Sequence, residues 1–140
     1  MTEEERKEYF ESMRQVVRKC REKHEELPYT RGAMLVLRAY EENERLRSSR
    51  FEVEDMPKFR NEAEEFVKVL RHVGIDEFAI TEQSTYIIRI LHRLETLGWV
   101  FNGLCRVKRT YAYMGKNIGD SFVEAIIVKY CGKTEVSEGD

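Results

Sequence analysis

The stretch from Glu77 to Lys108 constrains the fold most, because its hydrophobic period changes twice. A short apolar run at 78–80 is followed by a helical pattern over 84–97, in which apolar side chains recur at steps of three and four. From Trp99 onward the period becomes two, which is typical of a strand. Gly98 stands at the junction, where helices commonly end on a left-handed residue. The stretch therefore predicts a strand, an amphipathic helix and a second strand.

Apolar periodicity predicts further elements on both sides of this unit. Three helices are expected at 3–24, 30–47 and 57–73, and short strands at 51–54 and 122–131. The segment TYAYMGKNIGDS is expected to be a loop between the last two strands. A strand–helix–strand crossover followed by a hairpin gives a mixed sheet. The predicted fold class is α/β (α+β), with a small three- to four-stranded mixed sheet covered by the three N-terminal helices.

Length and composition set the domain organisation and the expected location. We expect one domain over 1–131 and a polar, acidic, disordered tail over 132–140. No apolar run approaches the ~18 residues of a membrane helix, and the first ten residues are charged where a secretory signal is apolar. Three cysteines without framework spacing suit a reducing compartment. These features predict a cytoplasmic protein without a membrane partner.

The side chains that carry most enzyme chemistry do not form a complete motif in this sequence. Cys20 and His24 are four residues apart on a predicted helix, but structural zinc requires four ligands. The other cysteines and histidines lack ligand spacing, and no pair of carboxylates stands out from the general acidity. The sequence therefore predicts no cofactor and no metal. It leaves catalysis open while favouring a protein that is not an enzyme.

The turn between the predicted strand at 78–80 and the helix at 84–97 is the first candidate site. Ligands often bind where a strand ends and a helix begins, because free backbone N–H groups attract anions. The side chains that would contact a ligand or partner are Thr81, Gln83, Ser84 and Thr85. Glu82 carries the wrong charge for an anion site, and the turn has no glycine. Capping of the helix by Thr81 is the favoured interpretation.

A basic block over 81–119, with six cations against two acids, is the second candidate site. The helix at 84–97 followed by a hairpin resembles a winged-helix DNA-binding module, with the loop at 106–116 as the wing. The side chains that would contact nucleic acid are Arg89, Arg93, Arg106, Lys108, Arg109, Tyr111, Tyr113 and Lys116. A helix-turn-helix joins its helices through three or four residues, whereas IDEFAIT is longer and resembles a strand. If that segment is a strand, the winged-helix interpretation is excluded and the α/β fold is favoured.

Several short segments resemble a known family. They are Leu27-Pro28-Tyr29, Thr30-Arg31-Gly32, Glu54-Asp55-Met56-Pro57 and Thr81-Glu82-Gln83-Ser84-Thr85. Over about residues 27–109 the chain resembles short uncharacterised proteins carried by bacterial conjugative and other mobile elements. The resemblance implies an accessory role in the bacterial cytoplasm, often exercised by binding, including binding to host defence machinery. That family has no established activity, so the resemblance assigns no functional residues.

Two functions follow as predictions. The first is a small non-enzymatic binding protein that acts through a protein partner, as a regulator or an inhibitor of host defence. The alternative is a nucleic-acid-binding protein of winged-helix type, which would use the helix at 84–97 and the loop at 106–116. The sequence does not indicate the identity of the partner or the oligomeric state.

Overall fold

The computed structural model describes residues 1–132, and the segment 133–140 of the predicted disordered tail lies outside the described residues. The described chain contains eight elements in two groups. The helices are α1 (Glu3–Glu22), α2 (Arg31–Leu46), α3 (Arg60–His72) and α4 (Ile87–Thr96). The strands are β1 (Glu52–Val53), β2 (Glu77–Ile80), β3 (Trp99–Tyr113) and β4 (Lys116–Tyr130). None of these helices is long and apolar enough to cross a membrane.

The strands form one mixed sheet in the order β1-β2-β4-β3. β1 runs parallel to β2, whereas β4 is antiparallel to both of its neighbours. The predicted strand at 78–80 is therefore β2, and it lies between β1 and β4 inside the sheet. The predicted α/β fold class, with its strand–helix–strand–strand unit at the C-terminal end, is confirmed.

The main hydrophobic core lies between the helices and one face of the sheet. Its largest fully buried side chains include Phe10 from α1, Phe66 from α3, Phe78 from β2 and Trp99 from β3. The Phe78 ring lies edge-on to the rings of Phe66 and Trp99, with centroid distances of 6.2 and 5.2 Å. Burial of such rings is the main source of stability in a domain of this size.

The opposite face of the sheet curves into a second, smaller core. Ala79, Val107, Ala125 and Ile127 are buried there. The segment before β1 approaches the other edge of the sheet, where the Ser49 N–H donates to the Lys108 carbonyl at 2.8 Å. The sheet thus nearly closes on itself, which explains how a face without helices excludes water.

Two details of β3 and β4 differ from the sequence predictions. The predicted loop TYAYMGKNIGDS is wrong, because β3 and β4 continue through it to a two-residue turn at Met114 and Gly115. Both turn residues have positive φ, 50° and 81°, as a type I′ hairpin requires. A one-residue bulge between Phe101 and Leu104 also reverses the alternation of β3. Trp99 and Val107, which were expected on one side, therefore lie in different cores.

Candidate functional site

Thr81 does not cap α4. Thr81 is buried, and its backbone N–H donates to the Val53 carbonyl at 3.0 Å, so that it extends the pairing of β2 with β1. Its hydroxyl lies 3.4 Å from the Glu52 carboxylate. α4 begins only at Ile87, and its N-cap residue Tyr86 makes no side-chain capping bond. The predicted capping role of Thr81 is therefore wrong, because six residues separate the end of β2 from the start of α4.

Glu82 organises the rest of this turn. Its carboxylate accepts hydrogen bonds from the Lys58 ammonium at 2.6 Å, the Ser84 hydroxyl at 2.5 Å and the Met56 N–H at 2.9 Å. Burial raises the pKa of Glu82, but these hydrogen bonds and the charge of Lys58 outweigh burial, so that the pKa lies below its ordinary value. The turn is therefore tied to the segment that leads into α3.

The four candidate ligand contacts of this turn do not converge. Thr81 and Ser84 direct their hydroxyl groups to Glu52 and Glu82, whereas Gln83 and Thr85 are exposed. An incoming anion would therefore meet a carboxylate and donors that are already engaged. The geometry favours a structural role for this turn over an anion site.

Arg109, one of the predicted nucleic-acid contacts, lies inside the curved sheet. Its guanidinium pairs with Glu52, with an Nε–Oε2 distance of 3.0 Å, and the two side chains are only 14% and 3% exposed. The hydrogen bond to Glu52 raises the pKa of Arg109, although burial opposes that shift. Asn43 positions Glu52, because its side-chain amide donates to the Glu52 carbonyl and accepts from the Glu52 N–H. The Arg109 guanidinium is therefore engaged within the fold, and little of it is exposed to a ligand.

The other predicted nucleic-acid contacts are dispersed. Arg93 donates to the Lys58 carbonyl at 2.6 Å, and Arg106 pairs with Glu124 at 3.4 Å. Arg89 lies 5.9 Å from the centre of the Tyr86 ring, which is an outlying cation–π contact. Since β2 is a strand, the described residues contain no helix-turn-helix in front of α4. The winged-helix geometry is therefore not formed, while nucleic-acid binding itself stays a prediction.

The remaining predicted contacts lie on the far part of the β3–β4 hairpin. We call residues 111–120 the hairpin tip, and every one of them is exposed. Lys116 and Asp120 are its charged residues, so that the tip has no net charge. The exposed apolar side chains of the tip, with their exposed fractions, are Tyr111 (42%), Tyr113 (66%), Met114 (85%) and Ile118 (66%).

The hairpin tip is shaped by a few contacts of its own. The Ser121 hydroxyl lies 3.3 Å from the Tyr111 hydroxyl, which fixes that ring along the ribbon. Arg47, at the end of α2, donates to the side-chain oxygen of Asn117 at 3.2 Å. A second bulge lies between Tyr111 and Ala112, and it makes Ile118 the unpaired residue of β4. The tip therefore presents its apolar side chains on an ordered two-stranded ribbon.

A groove between α1 and α2 was missed by the sequence analysis. Its volume is about 660 Å³, and five arginines line it, three from α1 and two from α2. The signal was visible in the sequence, because Arg14, Arg18 and Arg21 recur at steps of four and three, which places them on one helical face. Basic residues near the C-terminal end of a helix are also favoured by the helix dipole, so their presence there does not by itself indicate a binding site.

The described residues offer no metal site. Within residues 1–132, no group of three or more histidine, cysteine, aspartate or glutamate side chains is placed to hold an ion. Cys20, Cys105 and Cys131 are free thiols.

Comparison with known proteins identifies a family. The model described as Domain of unknown function (DUF7698) matches residues 35–129, which is more than half of the chain. The chain belongs to this family. The prediction of an uncharacterised family is therefore confirmed. No curated protein and no solved structure matches the chain.

The DUF7698 range contains the sheet, the buried pair of Glu52 and Arg109, and the hairpin tip. It begins at Leu35, inside α2, so that α1 lies before it. The α1 wall of the groove thus lies outside the DUF7698 range, and the α2 wall is divided, with Arg31 and Met34 before the range and Leu35, Leu37 and Arg38 within it.

Proposed function

We propose that this DUF7698 protein is a non-enzymatic binding protein that docks a protein partner on its hairpin tip. The observation that carries the proposal is the exposure of Tyr113, Met114 and Ile118 on an ordered ribbon without net charge. Each of these side chains is more than 60% exposed. Aromatic and methionine side chains are enriched in protein interfaces, where their burial supplies binding energy.

The charge distribution favours a protein over nucleic acid. Nucleic-acid binding depends on cations that are free to neutralise phosphates. Arg109 is buried against Glu52, whereas Arg106 makes an exposed contact of 3.4 Å with Glu124. Among the described residues of β3 and β4, Lys108, Lys116 and Lys129 are exposed and form no ion pair. These few cations, on a ribbon that also carries acids, provide a weak attraction for a polyanion.

Nucleic-acid binding is the second candidate function, and one feature supports it. Tyr111 and Tyr113 are exposed rings beside Lys116, and such rings can stack on unpaired bases. In that case the relevant ligand would be single-stranded, because the ribbon carries too few free cations to hold a duplex.

Two matched variants separate the two functions. The first variant, called the serine variant, combines Tyr113→Ser, Met114→Ser and Ile118→Ser and removes apolar contacts. The second variant, called the glutamate variant, combines Lys108→Glu and Lys116→Glu and reverses charge. Each purified variant is tested for co-purification of the partner that the wild-type protein retains, and for binding to single-stranded and duplex DNA by fluorescence anisotropy at low salt. We expect the serine variant to lose its partner and the glutamate variant to keep it.

The opposite pattern would contradict the proposal. Three results together would identify a nucleic-acid-binding protein. The glutamate variant would lose the captured material, nuclease would remove that material from the wild-type protein, and the DNA probes would bind. If sedimentation shows that the serine variant only abolishes self-association, the hairpin tip is a dimer contact rather than a site for another protein.

The resemblance to proteins of bacterial mobile elements supports a wider proposal. We infer that the protein acts in the bacterial cytoplasm as an accessory factor of such an element, either as a regulator or as an inhibitor of host defence. Transfer of a plasmid into a host with active defence systems tests this role. Expression of the wild-type protein should raise transfer efficiency, and the serine variant should not. Equal transfer with and without the protein would contradict the defence role.

A further inference from the structure

The groove between α1 and α2 is formed by two facing helical stripes. Arg14, Val17, Arg18 and Arg21 lie on one face of α1, at steps of three and four. On α2 the facing stripe includes Arg31, Met34, Leu35 and Arg38, with the same spacing. Side chains at these spacings point in one direction, so both arginine sets project toward the same space.

The arginines of the groove differ in how far their charge is already neutralised. Arg14 pairs with Glu11, Glu41 and Glu44 at 2.9 to 3.3 Å and therefore belongs to a closed network. Arg31 and Arg38 make long contacts of 3.5 and 3.6 Å with Glu62 and Asp55, and both arginines are about 70% exposed. Exposed pairs of this kind contribute little and exchange partners readily.

Arg18 and Arg21 are the cations of the groove with the most freedom. Both are exposed, and neither forms an ion pair within residues 1–132. They lie one helical turn apart on the same face of α1. Two guanidinium groups at this spacing match carboxylates that are themselves one turn apart on a helix, since each can bind a carboxylate through two parallel hydrogen bonds.

The floor of the groove limits the kind of ligand. Val17, Leu35 and Leu37 are buried beneath it, each at most 8% exposed, so that the half-buried Met34 and the aliphatic stems of the arginines form its apolar surface. Glu22 and Glu41 also line the groove. No aromatic ring lines the groove within the described residues, and therefore bases have nothing to stack on. An apolar strip between cations complements a peptide that carries leucine-like side chains on one face and carboxylates beside them.

We propose that the groove between α1 and α2 binds a short acidic, amphipathic segment of another protein. Carboxylates of that segment pair with Arg18 and Arg21, and its apolar side chains pack on Met34 and on the aliphatic stems of the arginines. This site is separate from the hairpin tip, so it does not depend on the function proposed above.

Designed peptides test the proposal without knowledge of the natural partner. The probe is a short fluorescein-labelled peptide with leucine at every third or fourth position and glutamate at the others. One comparator replaces glutamate by glutamine, another replaces leucine by serine, and a labelled oligothymidine represents nucleic acid. Fluorescence anisotropy at low salt should show tighter binding of the leucine–glutamate peptide than of any comparator.

Charge reversal locates the site. Arg18→Glu with Arg21→Glu should weaken binding of the leucine–glutamate peptide roughly tenfold or more, because two charge-assisted hydrogen-bond sites are lost. Lys108→Glu with Lys116→Glu changes the net charge equally and should leave binding unchanged. The fluorescence of Trp99 verifies that both variants are folded.

Three results would overturn the proposal. These are the absence of peptide binding at low salt, an equal loss in both charge-reversal variants, and tighter binding of oligothymidine that depends on Arg18 and Arg21. The last result would assign the groove to nucleic acid instead. All three can occur whether or not the hairpin tip binds its own partner.

Discussion

β3 and β4 have 15 residues each, and the two ends of the ribbon they form differ in environment. At the near end, Trp99, Val107 and Val128 are at most 1% exposed, while Phe101 and Leu104 are 58% and 75% exposed. At the far end, the hairpin tip has no buried residue at all. One continuous pair of strands thus passes from a packed core into solvent.

The difference arises from the unequal lengths of the strands in the sheet. β2 has four residues, and it pairs only with Ile126–Lys129 of β4. Between the two ends, the segment at 48–49 and the pair of Glu52 and Arg109 close the curved face. Beyond that closure, neither a strand nor a helix covers the ribbon within the described residues. The near end therefore contributes to the core, and the far end is exposed, which is the basis of the binding role proposed for it.

The largest expected effect concerns the ion pair at this boundary. Arg109→Ala leaves the Glu52 carboxylate buried without its partner, which should lower the free energy of unfolding by about 3–5 kcal/mol. Arg106→Ala removes an exposed pair with Glu124 from the same strand and should cost less than about 1 kcal/mol. Urea unfolding followed by the fluorescence of Trp99, the single tryptophan, measures both. Similar losses of unfolding free energy in the two variants would show that the Glu52–Arg109 pair does not mark the boundary between the packed and the exposed part of the ribbon.

A smaller contrast is expected for apolar side chains on the two ends. Val107 is fully buried in the second core, whereas Ile118 in the hairpin tip is 66% exposed. Val107→Ala should cost about 2 kcal/mol, because it removes buried methyl groups and leaves a cavity. Ile118→Ala should cost less than about 0.5 kcal/mol. A large loss for Ile118 in the same urea titration would mean that the core extends further along the ribbon than its exposure indicates.

The smallest contrast depends on pH. The pKa of Glu82 is lowered in the folded protein from its ordinary value of 4.5, so its stabilising contribution is complete above that value. The contribution is lost as the pH falls through the lowered pKa. The wild-type free energy of unfolding should therefore decrease between about pH 5 and pH 3 more steeply than that of Glu82→Gln. Asp120→Asn in the hairpin tip should retain the wild-type slope, and a reduced slope in this control would contradict the assignment to Glu82.

The helices and the sheet core could be predicted from the sequence because both depend on local periodicity. α4 is an example, since Ile90 and Leu94 are four apart and both are buried. The hairpin tip could not be recognised as strand, because both of its faces are exposed and its residues do not alternate. The ion pair of Arg109 with Glu52 could not be predicted from the sequence either, since 57 positions separate the two residues and only the curvature of the sheet brings them together.

Site-specific photo-cross-linking tests the central account most directly. A photoreactive phenylalanine analogue is placed at Tyr113 in the hairpin tip, and at Gln83, an exposed position in the turn after β2, as the control. After irradiation in the host cell, the account predicts a discrete adduct at position 113 that protease removes and nuclease does not, with no equivalent adduct at position 83. An adduct confined to position 83, or one at position 113 that nuclease removes, would contradict it.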